Sequence, residues 1–199
     1  IRFPDPTPGA EEQARNRVAL GLPADAAVVG VLPVPDWTDA PDLTLGVVWE
    51  TQRRAGPDAP RVLWYGMPGG HDGWPVAHDA ERCGLTTLHI TDRVPGDVHP
   101  AEVFDAVVVP NRSSAPAPDD LASTAVHHGT PVIAWDGHPA AEEVARWGGH
   151  TFPRGDVDGP AALLATVADP EGRRRAAAAG WAMVTTDVEQ VTPLRIPPP

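Results

Sequence analysis

The sequence predicts an α/β domain built on a doubly wound, six-stranded parallel sheet of Rossmann-like type. Three observations predict it. Short β-branched runs alternate with amphipathic stretches along the whole chain. The runs are apolar at consecutive positions, as strands covered on both faces require, rather than at every second position. No internal repeat or long linker divides the 199 residues, a length that suits one domain.

Glu11–Leu20 reads as a helix ending at Gly21-Leu22-Pro23. Ala27–Leu32 (AVVGVL) is a buried strand. Pro41–Ala55 is a helix with Leu43, Leu45, Val48 and Trp49 on one side and Arg53-Arg54 at its end. Arg61–Tyr65 (RVLWY) is the next strand, closed by Gly66. Val76–Cys83 is a short helix and Thr86–Ile90 (TTLHI) the third strand. Ala101–Phe104 makes about one helical turn before the strand Asp105–Pro110 (DAVVVP). Asp119–His128 is a helix stopped by Gly129, and Pro131–Trp135 (PVIAW) a strand. Pro139–Trp147 is a helix with Pro in its first turn and Gly after its end. Thr151-Phe152 is a brief strand, and Gly159–Ala168 and Glu171–Met183 are helices. Pro193–Pro199 is an extended tail. The domain itself is placed at residues 15–190, with 1–14 as a linker from a further domain and 191–199 as the tail. The start at Ile1 rather than Met fits a piece of a longer parent.

Composition narrows the function. All 15 basic residues are arginine and the formal charge is −12. Without lysine there is no Walker-type P-loop, pyridoxal Schiff base or lysine general base. No G-x-S-x-G elbow occurs. The single Cys83 excludes an internal disulfide, a CxxC pair and a multi-cysteine zinc site. The acidic balance argues against a nucleic-acid partner, since Arg53-Arg54 and Arg173-Arg174-Arg175 are the only basic runs. No apolar run reaches the ~18 residues of a transmembrane segment and no signal peptide opens the chain, so a cytoplasmic location is expected.

In sheets of this kind ligands bind beyond the carboxyl ends of the strands. Two loops there stand out. Gly66-Met67-Pro68-Gly69-Gly70-His71-Asp72-Gly73 follows a strand, and its glycines allow a ligand close to the backbone; a plain turn is the competing reading. Asn111-Arg112-Ser113-Ser114 through Asp119-Asp120 leads from a buried strand to a helix start, whose N–H groups suit a phosphate unless the aspartates cap the helix themselves. His71, Asp72, His78 and Asp79 do not fall on one face in a way that makes a metal site, so none is assigned. His127-His128 at a helix end suits the dipole rather than catalysis. Trp49, Trp64 and Trp135, inside elements, are expected in the core.

The run from Arg61 to Gly66, then Gly84-Leu85, Asp92-Arg93-Val94, Val107–Pro110 and Gly129–Ala134, resembles the C-terminal domain of GT-B glycosyltransferases, in particular family 4 with its E-x7-E signature. Arg17–Pro23 matches the entry to that domain. Gly129–Ala134 with Asp136-Gly137 matches its G-x-P-V-I-A strand and loop, Glu142-Glu143-Val144 its next helix, and Asp169-Pro170-Glu171 its DP-x-x-R helix. The likeness covers roughly Arg15 to Met183. It implies that this is the donor half of a glycosyltransferase, which transfers a hexose from a UDP- or GDP-sugar to an acceptor held by an N-terminal domain. It implies that Arg93 and Val94 meet the nucleobase through their backbone, and that the segment Asn111 to Pro118, with Asn111, Arg112, Ser113 and Ser114, holds sugar and phosphates. Gly66, Gly69, Gly70, Asp120 and Thr124 complete the expected donor-binding set. No catalytic residue, metal or cofactor is assigned; the sugar nucleotide is the substrate.

The departures from the pattern are specific. The glutamate that holds the ribose in the family falls at Thr124, after a loop one residue longer. Ala115 and Ala117 stand where the family's D/E-P-F-P turn has its acid and aromatic. The Arg and Lys that clamp the diphosphate belong between Leu32 and Ala40, where no cation occurs. Charge-assisted bonds to a diphosphate are worth about 1.5–3 kcal/mol each, so donor affinity is expected to be low unless Arg112 substitutes. The fragment alone is expected to be inactive. Two other readings stay open: a non-catalytic scaffold or regulator of a partner enzyme, and a sugar-nucleotide epimerase using groups such as His89, Asp92 and His138.

Overall fold

The computed structural model describes residues 10–31, 40–65, 74–91, 102–110, 130–137, 141–146, 149–169 and 171–172. Six strands form one sheet: β1 (Val28–Val31), β2 (Arg61–Tyr65), β3 (Leu88–Thr91), β4 (Ala106–Val109), β5 (Val132–Trp135) and β6 (His150–Phe152). The helices are α1 (Ala10–Ala19), α2 (Pro41–Ala55), α3 (Trp74–Arg82), α4 (Ala141–Arg146) and α5 (Asp158–Val167). Strand order is β3-β2-β1-β4-β5-β6, and every pair is parallel.

The consecutive apolar runs form strands because each face of the sheet meets its own layer. Val29, Val31, Val62, Trp64, Ala106, Val108, Ile133 and Trp135 face one layer, with Val47 and Val48 of α2, Val76 and Ala80 of α3, and Ala161, Leu164 and Val167 of α5. Val28, Leu63, Val107, Val109, Val132 and Ala134 face the other, with Leu22, Val103, Phe104 and Val144 of α4. This is the doubly wound arrangement that the alternating pattern predicts. At Gly30 a β-carbon would run into the Phe104 ring, so glycine here is what lets the aromatic pack against β1.

Three details differ from the sequence reading. Trp49 is 49% exposed, not core. The buried stripe of α2 is Thr44, Val47, Val48 and Thr51, spaced i, i+3, i+4, i+7, and Trp49 falls off it. The third strand begins at Leu88 instead of Thr86, because Gln52 of α2 takes the preceding threonines. Its Oε1 accepts from the Thr86 N–H at 3.1 Å and the Thr87 hydroxyl at 3.3 Å. The last strand also takes in His150.

Arg17 is the most deeply buried arginine among the described residues, 5% exposed. Its Nε and Nη2 donate to the Val103 carbonyl, at 3.2 and 3.1 Å, and Nη2 also to Asp105 at 2.9 Å. The same Asp105 oxygen accepts the Val28 N–H at 2.8 Å. One carboxylate thus joins α1 to the starts of β1 and β4.

Candidate functional site

All six strands point the same way, so their carboxyl ends line one edge: Val31, Tyr65, Thr91, Val109, Trp135 and Phe152. The chain runs outward from β1 through β2 to β3, then returns to the other side of β1 as β4. The crevice beyond β1 and β4 is therefore the topological switch point, where such sheets bind ligands.

In the sequence the expected site residues come after strands that end on this edge. Gly66, Gly69 and Gly70 follow β2, Arg93 and Val94 follow β3, and Asn111, Arg112, Ser113, Ser114, Asp120 and Thr124 follow β4. All eleven lie outside the described residues, as do the segment 32–39, His71, Asp72, Asp92, His127, His128 and His138. What the structure brings together is the set of strand ends that anchor these loops: β1 and β4 are direct neighbours, paired Val31 to Val108.

Two features of the edge are described. The first is the start of α2, next to β1 in the chain. Its N-cap, Ala40, sits at φ 47 and ψ 57 and makes no side-chain cap bond. A non-glycine residue in this left-handed region is uncommon and costs of order 1 kcal/mol or more. Pro41 opens the helix. The N-terminal end of this 15-residue helix carries main-chain N–H groups after Pro41 and a positive dipole end, with Asp42 in its first turn.

The second is the β5–β6 corner. The Trp135 indole N–H donates to the Asp156 carbonyl at 2.7 Å, and the Asp136 N–H to the Phe152 carbonyl at 2.8 Å. Trp135 is buried, as its position inside an apolar run predicts. Gly137 turns the chain at φ 84. Arg154, from the turn after β6, lies over Gly137: a β-carbon there would be 3.4 Å from its Nη2 and 3.7 Å from Cζ. The sequence reading missed this arginine. Its one signal is the P-R-G-D turn that follows the last strand.

Elsewhere the titratable groups are structural or remote. His89 on β3 is held below its ordinary 6.5 by burial first and by the Arg61 charge second. His78 and Asp79 are exposed on α3, and among the described residues no three His, Cys, Asp or Glu side chains could share a metal. A wide groove of about 680 Å³ opens at the opposite, amino edge. Asp25, Asp58, Asp169 and Arg61 line it, an excess of carboxylates unsuited to an anionic ligand.

Compared with protein-family models and with curated proteins, the sequence matches none. Solved structures do match. The C-terminal domain of LpcC, a glycosyl transferase group 1 family protein from Francisella tularensis, aligns over 92% of this chain and 94% of that one, with TM-score 0.68 and 16% identity. The chain has the fold of a GT-B glycosyltransferase C-terminal domain. HepE of Anabaena, solved in complex with UDP-glucose, aligns over 90% of this chain with TM-score 0.66 and 18% identity. Sucrose-phosphate synthase from Thermosynechococcus elongatus aligns over 96% with TM-score 0.59 and 20% identity. The chain spans nearly all of the LpcC domain but only 49% of HepE and 50% of the synthase. No described helix is long and apolar enough to cross a membrane.

Proposed function

We propose that this chain is the nucleotide-sugar-binding half of a glycosyltransferase, working with an N-terminal domain that holds the acceptor. The observation that carries the reading is the switch point itself: β1 and β4 side by side, with the expected donor residues following β2, β3 and β4 in the sequence, on a fold shared with HepE, which was solved with UDP-glucose. The donor is a UDP- or GDP-sugar and the transferred group a hexose. The N-terminal end of α2 supports this assignment. Segment 33–39 carries no cation, so main-chain N–H groups in the first turn of α2 after Pro41, which itself has none, become the natural donors to a diphosphate on that side. Arg93 and Val94 then meet the base, and Asn111 to Ser114, with Asp120 and Thr124, meet the ribose, phosphates and sugar. The chain supplies no catalytic group of its own and is inactive without the acceptor domain. A cytoplasmic enzyme with a soluble donor fits this reading.

Calorimetry of the chain, and of its two-domain parent, against UDP-glucose, UDP-galactose and GDP-mannose tests it. Saturable heat with one nucleotide class supports the reading; no heat with any of them overturns it. The missing diphosphate cations and Thr124 favour one second reading, a non-catalytic scaffold that stabilises a partner enzyme. Sugar transfer by the purified two-domain parent, without any partner, would exclude it.

A further inference from the structure

β3 is the outermost strand on its side of the sheet, paired with β2 and with no other described strand. Its register fixes which main-chain groups are engaged. Val62 is the partner of Leu88, and the Val62 N–H donates to the Thr87 carbonyl at 2.9 Å. In a parallel ladder this turns the N–H and C=O groups of residues 87, 89 and 91 toward β2, and those of Leu88 and Ile90 away from it. Among the described residues nothing bonds to these outward groups. Along the same edge runs an open, mainly apolar groove of about 410 Å³, lined by Ala77, Ala80 and Glu81 of α3 and by Leu85, Leu88 and Ile90. His89 alternates to the opposite face of the strand and is exposed. Free edges are ordinarily blunted by charged residues or proline, and Leu-His-Ile-Thr contains no Asp, Glu, Arg or Pro.

We propose that β3 pairs antiparallel with β3 of a second copy of this chain, about a two-fold axis through His89. The edge is self-complementary in this register. Leu88 of each copy exchanges main-chain hydrogen bonds with Ile90 of the other, so the outward groups of both strands are satisfied. A slip of one residue would set an outward group against one already committed to β2, so parity singles out this pairing. The two-fold also puts Leu88 and Ile90 of both copies on one face, where the apolar grooves adjoin. Charge favours this edge as the meeting place. The chain carries −12, so copies repel over most of their surface, whereas the pairing strand opposes no like charges. Glu81, the charged residue lining the groove, lies on α3 and not on the strand. β2 separates β3 from β1, so the crevice beyond β1 and β4 stays open in the pair, and the proposal is independent of the donor-binding reading.

The test is analytical ultracentrifugation of the full chain at about pH 8, where imidazole is neutral, over loading concentrations of about 5 to 500 μM. The wild type should pass from one chain to two as concentration rises. The pairing sets the two His89 side chains directly opposite each other, with β-carbons ~4.5–5.5 Å apart. His89→Glu and His89→Arg each oppose like charges there, and each should weaken association by about 10-fold or more. Mixed in equal amounts, the two variants should associate more tightly than either alone, because glutamate then faces arginine. Circular dichroism of each variant checks that the fold is kept. A wild type that stays monomeric throughout overturns the proposal. So does a mixture that associates no better than the separate variants, because His89 then does not lie at the axis. Either failure leaves the donor-binding reading standing.

Discussion

The two edges of the sheet are built differently. At the amino edge, side chains tie elements together across long stretches of sequence. Arg17 reaches Val103 and Asp105, Asp105 holds the start of β1, and Gln52 holds the turn before β3, also donating to the Gly84 carbonyl at 3.0 Å. Glu50, only 6% exposed, takes Arg53 at 2.6 and 2.7 Å and Arg54 at 2.7 Å; Arg54 goes on to Asp158 of α5. At the carboxyl edge, the described residues show a helix start without a side-chain cap, a left-handed alanine and an arginine laid over a glycine turn. One edge spends its polar side chains on cohesion. The other, where it is described, is held by main-chain and turn contacts. Changes at the two edges should therefore differ in what they cost in stability.

The largest effect is expected at the amino edge. Asp105→Ala removes the partner of a buried arginine and an acceptor for the Val28 N–H. Breaking one side of such a buried pair costs about 3–5 kcal/mol, which urea denaturation would show as a clear fall in midpoint. A change below ~1 kcal/mol would mean that Arg17 finds another partner or water, and the contrast between edges would lose its main support.

Next is Gly30→Ala, in the middle of β1. Its methyl would run into the Phe104 ring, so the ring must move within a close-packed layer. Overpacking of this kind costs about 1–3 kcal/mol, measured by the same denaturation curve. Phe104→Leu in the same chain should recover part of the loss if the clash is the cause.

Acid is the third test. Glu50 is lowered from 4.5 to about 2, chiefly by its bonds to Arg53, with Arg54 adding to the effect against the desolvation of the carboxyl. Its folded pKa lies below its unfolded one, so the unfolded chain takes up the proton first. The stabilisation is present above about pH 4.5 and is lost as the pH falls toward 2. Glu50→Gln should flatten the pH dependence of the thermal midpoint within that window. An unchanged slope would show that the cluster contributes nothing to acid sensitivity. His89 moves in the same sense: its folded pKa is below 6.5, so stability is complete above that pH and declines as the pH drops below it.

The smallest stability effect belongs to the carboxyl edge. Arg154→Gln, at an exposed turn residue, should change the unfolding free energy by no more than ~0.5 kcal/mol, read from the same denaturation curve. A large loss of stability would reverse the comparison.

Much of the fold was legible because burial on both faces writes itself into composition. VVGV, RVLWY, AVVV and VIAW can be recognised as strands without their partners, since each residue must be apolar whichever way it points. The limits of α2 were equally plain, with Pro41 in its first turn and Gly56 after its end. Other features depend on partners far away in sequence. Trp49 looked like core because an aromatic in a helix usually is; only the packing of α2 shows which stripe turns inward. The start of β3 moved because Gln52, more than thirty residues earlier, competes for Thr86 and Thr87. The loops of the candidate site could be placed at strand ends from the sequence alone, because alternation fixes which loops follow strands. The resemblance to glycosyltransferases added which of those loops are proposed to meet a donor.

The sequence by itself determined the fold class, the alternation of elements and the lack of cations between Leu32 and Ala40, since these follow from local pattern and residue type. The tertiary structure decided the strand order that sets β1 beside β4, the burial of Arg17 against residues 86 and 88 positions away, and the meeting of Arg154 with Gly137. The reason is physical. Hydrophobic periodicity reports what one segment buries, whereas neighbours brought together by crossovers and turns leave no mark on the pattern of either segment alone.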